Sequence, residues 1–493
     1  MAERERIYHD SQNIVVSAGA GSGKTTLLIN KLKSEIKNDR THYKIAAITF
    51  TNKAANELKE RAGKDGKGNF FGTNDGFIEK EIIRPFIKDA FGESFSQEFE
   101  TEYYKTKFST FDDGLEILER ERVIGTYYNK KRNFKFHLAK KILDESKACR
   151  QYLQAKYSRI FIDEYQDSDT DMHNLFMFIK DHLNIKLFIV GDTKQSIYVW
   201  RGAEPQNFKG LLQTDSGFNI YELNENFRCC FDIQNYSNSF FLETQDQFNM
   251  GYKKVEDVVG VRSEYSLEEL YKENIIDPGK ELVILTWKRG LAEQIANTLN
   301  AEGHNFTYIP RTPLDTTTKN SSLLIELAKY VKNKRYSVYH LVNSIGLDLS
   351  SAEISELDNT IKVLKNTVMD KEKVIIVLEK LSELLQLSFA EEELGPFVSV
   401  ILTDEYDIAY NGQENMNKVM TLHSSKGLEF QQVFIFAADF KLTQGKDFNE
   451  HYVATTRGKD KLVIILNDNY VTYLEKIQKE LQLESLNKLI RII

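Results

Sequence analysis

Residues 18–25 read Ala-Gly-Ala-Gly-Ser-Gly-Lys-Thr, a combination of residue types that binds nucleotide phosphates. The stretch fits the pattern G-x-x-x-x-G-K-[ST], with Ala18 in the place of the first glycine. Glycines allow backbone N–H groups to turn towards phosphate oxygens. Lys24 is expected to reach the β- and γ-phosphates, and the Thr25 hydroxyl is expected to hold Mg²⁺. The predicted phosphate-binding residues are Ala18, Gly19, Ala20, Gly21, Ser22, Gly23, Lys24, Thr25 and Thr26.

Two neighbouring carboxylates, Asp163 and Glu164, stand at the carboxyl end of a short apolar run. Ligands bind at that end of the strands in an open α/β sheet. Asp163 is therefore expected to complete the Mg²⁺ shell, and Glu164 to orient or deprotonate the water that attacks the nucleotide. A solvated acidic loop is the alternative for such a pair in isolation. The phosphate loop upstream favours the catalytic interpretation.

These groups need sheets to position them, and the apolar runs predict the strands. Residues 13–18 predict a strand that leads through the glycine-rich turn into a helix. Further strand-length runs alternate with helical patterns, which is typical of parallel sheets covered on both faces. Residues 78–150 and 323–400 look helical instead, and the first of them shows no clear strand. We predict an α/β fold of two sheet domains, each with a mostly helical insertion. The other predicted strands are 44–50, 159–163, 186–192, 281–286, 418–422, 433–437 and 462–466.

The composition limits the class of protein. The chain has 493 residues, enough for about three structural units, and its 65 Lys+Arg and 73 Asp+Glu give a net charge of -8. This balance excludes a basic coat over the whole surface but not a local basic channel. The 3 cysteines lack C-x-x-C spacing, which argues against a cysteine zinc site and a disulfide framework. With no secretory signal and no membrane-length apolar run, we expect a cytoplasmic protein.

An ordered set of motifs makes the chain similar to the UvrD/Rep/PcrA-type DNA helicases of superfamily one. The motifs run from residue 18 to residue 457, so the resemblance covers both predicted sheet domains. Besides the phosphate loop and the acidic strand end, they are TFTNKAA at 49–55, GDTKQSIYVWRGA at 191–203, NFR at 226–228, TLHSSKGLEF at 421–430 and YVATTR at 452–457.

The resemblance implies two RecA-like cores, called 1A and 2A in this family, with insertions called 1B and 2B. Core 1A is expected at 1–89 and 146–225, around insertion 1B at 90–145. Core 2A is expected at 226–334 and 414–493, around a reduced insertion 2B at 335–413.

The resemblance also implies roles in nucleotide hydrolysis. Gln195 would sense the γ-phosphate, and Arg228 and Arg457 would stabilise charge on it. Phe227, in the place of the family's tyrosine, would stack on the base, and Glu429 would meet the ribose. The implied catalytic residues are Lys24, Thr25, Asp163, Glu164, Gln195, Arg228 and Arg457. The second core would add Phe227, Arg228, Gly427, Glu429 and Arg457 to the nucleotide site.

Contacts with DNA follow from the same resemblance. Phe50 and Trp200 match aromatics that stack on DNA bases, a contact that tolerates any sequence. Core packing is the alternative for both rings. Lys53, Lys288 and Arg289 are weaker candidates, and a solvated face is equally consistent with the last two. The expected DNA-contacting residues are Phe50, Thr51, Asn52, Gly72, Thr73, Tyr198, Trp200, Arg201 and His423.

Three features depart from the family pattern. The adenine-reading glutamine has no counterpart at the right spacing, since Gln12 lies too close to the phosphate loop. We therefore predict weak discrimination between ATP and GTP. Asn74 and Asp75 replace the Phe and His of the GTFHS motif, and a carboxylate there would repel phosphate. Both insertions are short, which favours translocation over autonomous strand separation.

Two functions remain open at this point. The first is an ATP-driven DNA translocase or helicase that moves 3′ to 5′ on single-stranded or tailed DNA. The second is a nucleotide- and DNA-sensing subunit that activates a partner nuclease without unwinding DNA alone. The stretches GTNDGF, EIIRPFIKDAFG and NEHYVATTR resemble the UvrD-like subunits of the Gabija anti-phage defence system. That resemblance implies an OLD-family endonuclease partner, with 90–145 and 335–413 as candidate interfaces. A small-molecule P-loop kinase would explain neither the second core nor the stacking aromatics.

Overall fold

The computed structural model describes most of the chain, and the backbone description covers the following residues. They are 2–38, 41–50, 52–66, 68–102, 106–249, 254–262, 265–310, 312–316, 320–345, 347, 349–365, 370–385, 387, 389, 391–410 and 416–493. Within these ranges the side chains of 2, 52, 53, 56, 64, 65, 315, 316, 321, 322, 391, 392, 405 and 408 are outside the description. The chain forms two compact units, one of 1–18, 24–223 and 312–404, the other of 19–23, 224–311 and 405–493.

The first unit is built on a six-stranded parallel sheet in which strand order differs from chain order. Its strands are β1 (Ile14–Ala18), β2 (Lys44–Thr49), β3 (Phe70–Thr73), β4 (Tyr157–Ile162), β5 (Lys186–Gly191) and β6 (Asn219–Leu223). They lie in the order β6-β1-β5-β4-β2-β3. All neighbouring pairs are parallel, so the loops that follow β1, β5 and β4 meet at one edge of the sheet.

Both faces of this sheet are buried, which explains why its central strands are continuous apolar runs. Successive side chains of a strand point to opposite faces. In β4, Ile160 and Ile162 accordingly pack in one apolar cluster and Phe161 packs in the other. The helices of the 1–223 part are Ala2–His9, Lys24–Asn38, Asn52–Ala62, Asn74–Ile78, Arg84–Phe91, Phe111–Glu121, Phe134–Glu145, Lys147–Lys156, Thr170–His182 and Pro205–Leu211, with a π-helical turn at Glu79–Ile83.

The expectation that residues 78–150 contain no strand is wrong. Two short parallel pairs lie there, Glu100–Thr101 with Val123–Ile124 and Lys107–Phe108 with Thr126–Tyr127. Strands of two residues are too short to leave a period in the sequence. Aromatic side chains of this region, such as Phe108, pack in the same cluster as Ile160, so the insertion shares a core with the sheet.

The described residues of 323–400 are mostly helical, as the sequence predicts, and they lie within the stretch 312–404 that belongs to the first unit. Its helices are Ser321–Lys332, Val338–Ile345, Ser351–Lys362, Lys371–Leu385 and Glu391–Leu402.

The second unit contains a seven-stranded parallel sheet. Its strands are β7 (Val258–Val261), β8 (Leu282–Thr286), β9 (Phe306–Ile309), β10 (Asn417–Thr421), β11 (Phe430–Phe436), β12 (Gly458–Ile465) and β13 (Arg491–Ile492), in the order β9-β10-β8-β11-β12-β7-β13. Its helices are Phe231–Asn238, Leu267–Lys272, Arg289–Ala301, Asp407–Tyr410, Phe448–Thr455 and Asp468–Glu480. Two parallel sheets with helical layers confirm the predicted α/β class.

Candidate nucleotide and DNA sites

The phosphate loop connects β1 to a helix of 15 residues that begins at Lys24. Gly21 and Gly23 have φ values of +70° and +75°. A residue with a side chain would be strained in this left-handed backbone conformation, whereas glycine adopts it freely. The Lys24 ammonium donates a hydrogen bond to the Ala18 carbonyl at 3.1 Å, which curls the loop around it. Exposed N–H groups at the start of a helix favour anions, so the local geometry suits a phosphate. Thr25 and Thr26 lie in the first turn, where the Thr26 hydroxyl accepts from Arg61 at 3.0 Å.

The acidic pair lies directly after β4. Asp163 is 4% exposed, and its N–H donates to the Ile48 carbonyl of neighbouring β2 at 3.1 Å. Glu164 has a φ of +54°, which is uncommon for a residue with a side chain and marks a backbone held in place by its surroundings. Burial and the neighbouring Glu164 charge raise the pKa of Asp163 to about 7, against the opposing charge of Lys24.

Replacing Asp163 with asparagine should change how stability depends on pH. The Asp163 pKa is about 7 in the folded chain against an ordinary value of 3.8. The folded state therefore binds more protons, and stability falls as pH rises from about 4 to about 7. Asparagine stays neutral, so the Tm of Asp163→Asn should exceed that of the wild type by a margin that widens from pH 5 to pH 8. Thermal melts without nucleotide or Mg²⁺ measure this margin.

A carboxylate at an exposed position of the same sheet provides the control. Glu222 is exposed on β6, so Glu222→Gln removes a carboxylate from the same sheet without removing a buried one. An equal Tm difference at pH 5 and pH 8 for Asp163→Asn would contradict the burial argument.

The loop after β5 supplies a third group of polar side chains to the same sheet edge. Asp192 is 1% exposed and accepts a hydrogen bond from the Gln195 amide at 2.7 Å. Burial opposes its ionisation, but the charges of Lys194 and Lys24, together with hydrogen bonds from Gln195 and the Lys194 N–H, hold the pKa of Asp192 below its usual value. Gln195 is thus fixed by an ionised carboxylate.

Gln166 connects the acidic pair to this third loop. Its side-chain amide donates to a Glu164 carboxylate oxygen, and its amide oxygen accepts the Asp192 N–H at 3.0 Å. Gln166 follows the acidic pair by two residues, and the sequence alone predicts no role for it. Its two bonds join loops that are 26 residues apart in sequence, and only the strand order brings them together.

In the second unit, one carboxylate holds two cations. Glu429 accepts from the Arg228 Nε at 2.7 Å and lies 2.6 Å from the Lys459 Nζ. The bonds from Lys459 and Arg228 hold the pKa of Glu429 below its usual value, with Lys459 the larger cause. Phe227, next to Arg228 in sequence, is 70% exposed. Lys459 is absent from the sequence prediction.

Arg457 is buried and 1% exposed. Its Nε donates to the Val453 carbonyl at 3.0 Å and one terminal nitrogen donates to the Leu428 carbonyl at 2.8 Å. Gly427, with a φ of +84°, turns the chain just before Leu428 and Glu429. The two predicted arginine positions therefore both contact the 427–430 segment.

The loop segment Gly19–Gly23 belongs to the second unit. The Phe227 N–H donates to the Gly21 carbonyl at 2.9 Å, and the Ala20 N–H donates to the Tyr452 hydroxyl at 3.2 Å. Tyr452 was not among the predicted site residues, although it begins the YVATTR motif.

The expected DNA-contacting aromatics are exposed. Trp200 is 53% exposed and Phe50 is 37% exposed, so neither ring is a core residue. The Arg201 guanidinium lies 4.8 Å from the centre of the Trp200 ring and 5.3 Å from that of Tyr198. In the second unit, the His423 ring lies 5.8 Å from that of Trp287, edge to face. Thr51 lies outside the described residues, as do the side chains of Asn52 and Lys53.

Residues 72–75, which correspond to the altered GTFHS motif, make contacts within their own part of the first unit. Gly72 is in β3, and the Thr73 hydroxyl accepts the Gly76 N–H at 3.0 Å, which caps the next helix. Asn74 is 3% exposed. Asp75 lies 3.7 Å from the buried Lys135 ammonium, so part of its negative charge is neutralised.

Comparisons with known proteins show the family to which the chain belongs. Residues 3–201 match an AAA domain family, and residues 418–465 match the UvrD-like helicase C-terminal domain. The chain is 49% identical to the Gabija protein GajB of Bacillus cereus (strain VD045), over 98% of this chain and 99% of that protein. It is 24% identical to the ATP-dependent DNA helicase Rep of Buchnera aphidicola subsp. Schizaphis graminum, over 94% of this chain and 92% of Rep. It is also 24% identical to the ATP-dependent DNA helicase PcrA of Staphylococcus epidermidis, over 92% of this chain and 81% of PcrA.

Among the described residues, no helix combines the length and apolar character needed to cross a membrane.

Proposed function

Because the chain belongs to the GajB family of UvrD-like helicases, we propose that it hydrolyses ATP and moves along single-stranded DNA. The observation that carries this proposal is the meeting of three loops at one edge of the first sheet. Lys24 follows β1, Asp163 and Glu164 follow β4, and Gln195 follows β5. Since β1, β5 and β4 are adjacent, Lys24, the carboxylate pair and Gln195 follow neighbouring strands at one edge of the sheet, which supports a shared ligand.

The residues present fit a magnesium nucleotide. No group of three or more potential His, Cys, Asp or Glu metal ligands occurs in the described part of the chain. This suits Mg²⁺, which usually takes one or two protein oxygens and completes its shell with water and phosphate. Thr25 and Asp163 would hold it, and a cation beside buried Asp163 favours the ionised carboxylate. When bound, Mg²⁺ would neutralise charge on the β- and γ-phosphates.

The first unit supplies the groups that act on the attacking water. Glu164 orients the water and takes its proton, and its carboxylate is held for this task by Gln166. Lys24, which also belongs to the first unit, binds the phosphates, as would the N–H groups of residues 19–25. Gln195, fixed by Asp192, reports on the γ-phosphate.

The resemblance to UvrD-type helicases assigns charge-stabilising cations and an aromatic that stacks on the base to residues of the second unit. Arg228 and Arg457 would stabilise the negative charge that develops on the transferred phosphoryl group. Phe227 would stack on the base, and Glu429 would meet the ribose while it orients Arg228. Stacking alone does not distinguish adenine from guanine, so GTP is proposed as a second substrate.

Exposed aromatics support the DNA part of the proposal. Phe50, Tyr198 and Trp200 would stack on successive bases, with Arg201, Thr73 and His423 near phosphates. The direction, 3′ to 5′, follows from the resemblance to UvrD-type motors.

The name of the 49% identical relative supports a role in anti-phage defence. We propose that the chain is the helicase-like subunit of a Gabija complex and that its partner is the OLD-family endonuclease GajA. The insertions at 90–145 and 335–413 are the proposed partner-binding regions.

A regulatory subunit that senses nucleotide and DNA without unwinding is the second candidate function. The contacts of residues 72–75 favour this candidate. The Thr73 hydroxyl already accepts a hydrogen bond from the Gly76 N–H, and Asn74 is buried. This segment has fewer groups to offer to a strand than its GTFHS counterpart.

Streptavidin displacement tests the motor function. With ATP, the chain should displace streptavidin from the 5′ end of a biotinylated single strand and leave it on the 3′ end, because a 3′-to-5′ motor runs towards the 5′ end. Lys24→Ala should displace neither. Displacement from neither end by the wild type, with ATP hydrolysis intact, would favour the regulatory subunit. Displacement from the 3′ end alone would contradict the direction.

A further inference from the structure

A loop of the first unit, residues 128–132, combines an exposed aromatic ring with three consecutive cations. Tyr128 is 67% exposed, and Lys130, Lys131 and Arg132 are all exposed. Arg132 pairs with Asp171 at 2.8 Å. Neither Lys130 nor Lys131 forms an ion pair with any residue that the structure describes. In a chain of net charge -8, two lysines without a carboxylate partner are a local concentration of positive charge.

The loop is held in a fixed conformation at both ends. The Tyr128 N–H donates to the Phe108 carbonyl at 2.9 Å, which continues a strand pair, and the Arg132 N–H donates to the Asn129 carbonyl at 3.0 Å. Asp171, on the helix Thr170–His182, accepts from both Arg132 and the Asn133 N–H at 2.8 Å. The exposed side chains are therefore presented on a turn whose backbone is already held, so a ligand need order only the side chains.

The same loop packs against the turn that carries Trp200. Gly202 has a φ of +107°, and a Cβ there would lie 2.2 Å from the Lys130 carbonyl oxygen. Only a glycine permits this approach of the two backbones. The backbone at Lys130 therefore lies against the turn at 199–202, which also carries Trp200, whose ring is 53% exposed.

We propose that Tyr128, Lys130, Lys131 and Trp200 form one binding surface for a single-stranded nucleic acid. The two rings stack on bases and the two lysines neutralise phosphates, a combination that recognises single strands without sequence preference. The inference rests on the proposed function and extends it to a loop that no helicase motif contains. The planar, exposed rings favour a nucleic acid over an acidic protein partner.

Salt-dependent binding separates the two kinds of contact. The probe is a fluorescein-labelled oligothymidylate, and its anisotropy is followed with the full chain at several salt concentrations. Tyr128→Ala should weaken binding about 5- to 100-fold with an unchanged salt slope, because it removes stacking. The double variant Lys130→Ala/Lys131→Ala should reduce the slope of log K against log salt by about 1.4, or about 0.7 for each lost phosphate contact.

A second pair of cations serves as the matched control. Lys334 and Arg335 are adjacent and exposed on another turn of the same unit, and Lys334→Ala/Arg335→Ala should change neither affinity nor slope. If Trp200→Ala weakens binding while the Tyr128 and Lys130/Lys131 variants match the wild type, the loop inference is wrong and the proposed function stands. An equal loss of slope in the control pair would also overturn it. A wild-type chain that binds no oligonucleotide would contradict the proposed function itself.

Discussion

Replacing Glu164 with glutamine should lower kcat for ATP hydrolysis by about 10²- to 10⁴-fold, the usual worth of a positioned general base. Glutamine keeps the length of the side chain and an oxygen that accepts from Gln166, so the loop geometry is retained. It cannot take a proton from water. Affinity for a fluorescent ATP analogue should stay within a few-fold of the wild type, because Lys24 and the loop N–H groups are untouched.

The control for this change is an acid of the same sheet that faces solvent. Glu222→Gln should leave kcat unchanged. A Glu164→Gln variant that hydrolyses ATP at the wild-type rate would remove Glu164 from the catalytic role and require another base.

Replacing Arg228 with alanine should lower kcat by about 10³- to 10⁵-fold, since arginines that neutralise the transferred phosphoryl group contribute on that scale. Arg228 pairs with Glu429, which also holds Lys459. Because Lys459 shares that carboxylate, Arg228 is oriented without being fully neutralised. Steady-state turnover with saturating single-stranded DNA measures the loss.

Lys461→Ala is the matched control for Arg228→Ala. Lys461 lies on β12, two residues beyond Lys459, and pairs with Asp257 at 2.8 Å. Its removal should leave kcat unchanged and should alter Tm as much as Arg228→Ala does. If both variants lost turnover equally, the effect of Arg228 would be structural and its catalytic role would be rejected.

The buried strands were predictable because burial on both faces leaves a continuous apolar run, as at 159–163. The edge strands were not. Phe70–Thr73 and Asn219–Leu223 border the first sheet, and Phe306–Ile309 and Arg491–Ile492 border the second. Half-exposed edges carry polar residues, so Asn219–Leu223 reads as a loop in the sequence. The interior strand Val258–Val261 was also missed, because four residues with a glycine give too short a run.

Some site residues could likewise be predicted from local motifs, and others could not. Lys24, Asp163 and Glu164 are recognisable because their motifs require adjacent residues with a fixed spacing. The Lys459–Glu429 pair spans 30 residues and depends on how β11 and β12 pair. The backbone of Lys130 contacts Gly202, which lies more than 70 residues later in the sequence. No local sequence pattern predicts a contact between such distant residues.

ATP turnover by the purified chain, with and without single-stranded DNA, tests the central claim most directly. The account predicts turnover that DNA stimulates and that Lys24→Ala abolishes, because the nucleotide site and the strand-binding aromatics serve one motor. Turnover that is absent, or equal with and without DNA, would contradict the motor and leave the nucleotide- and DNA-sensing subunit in its place.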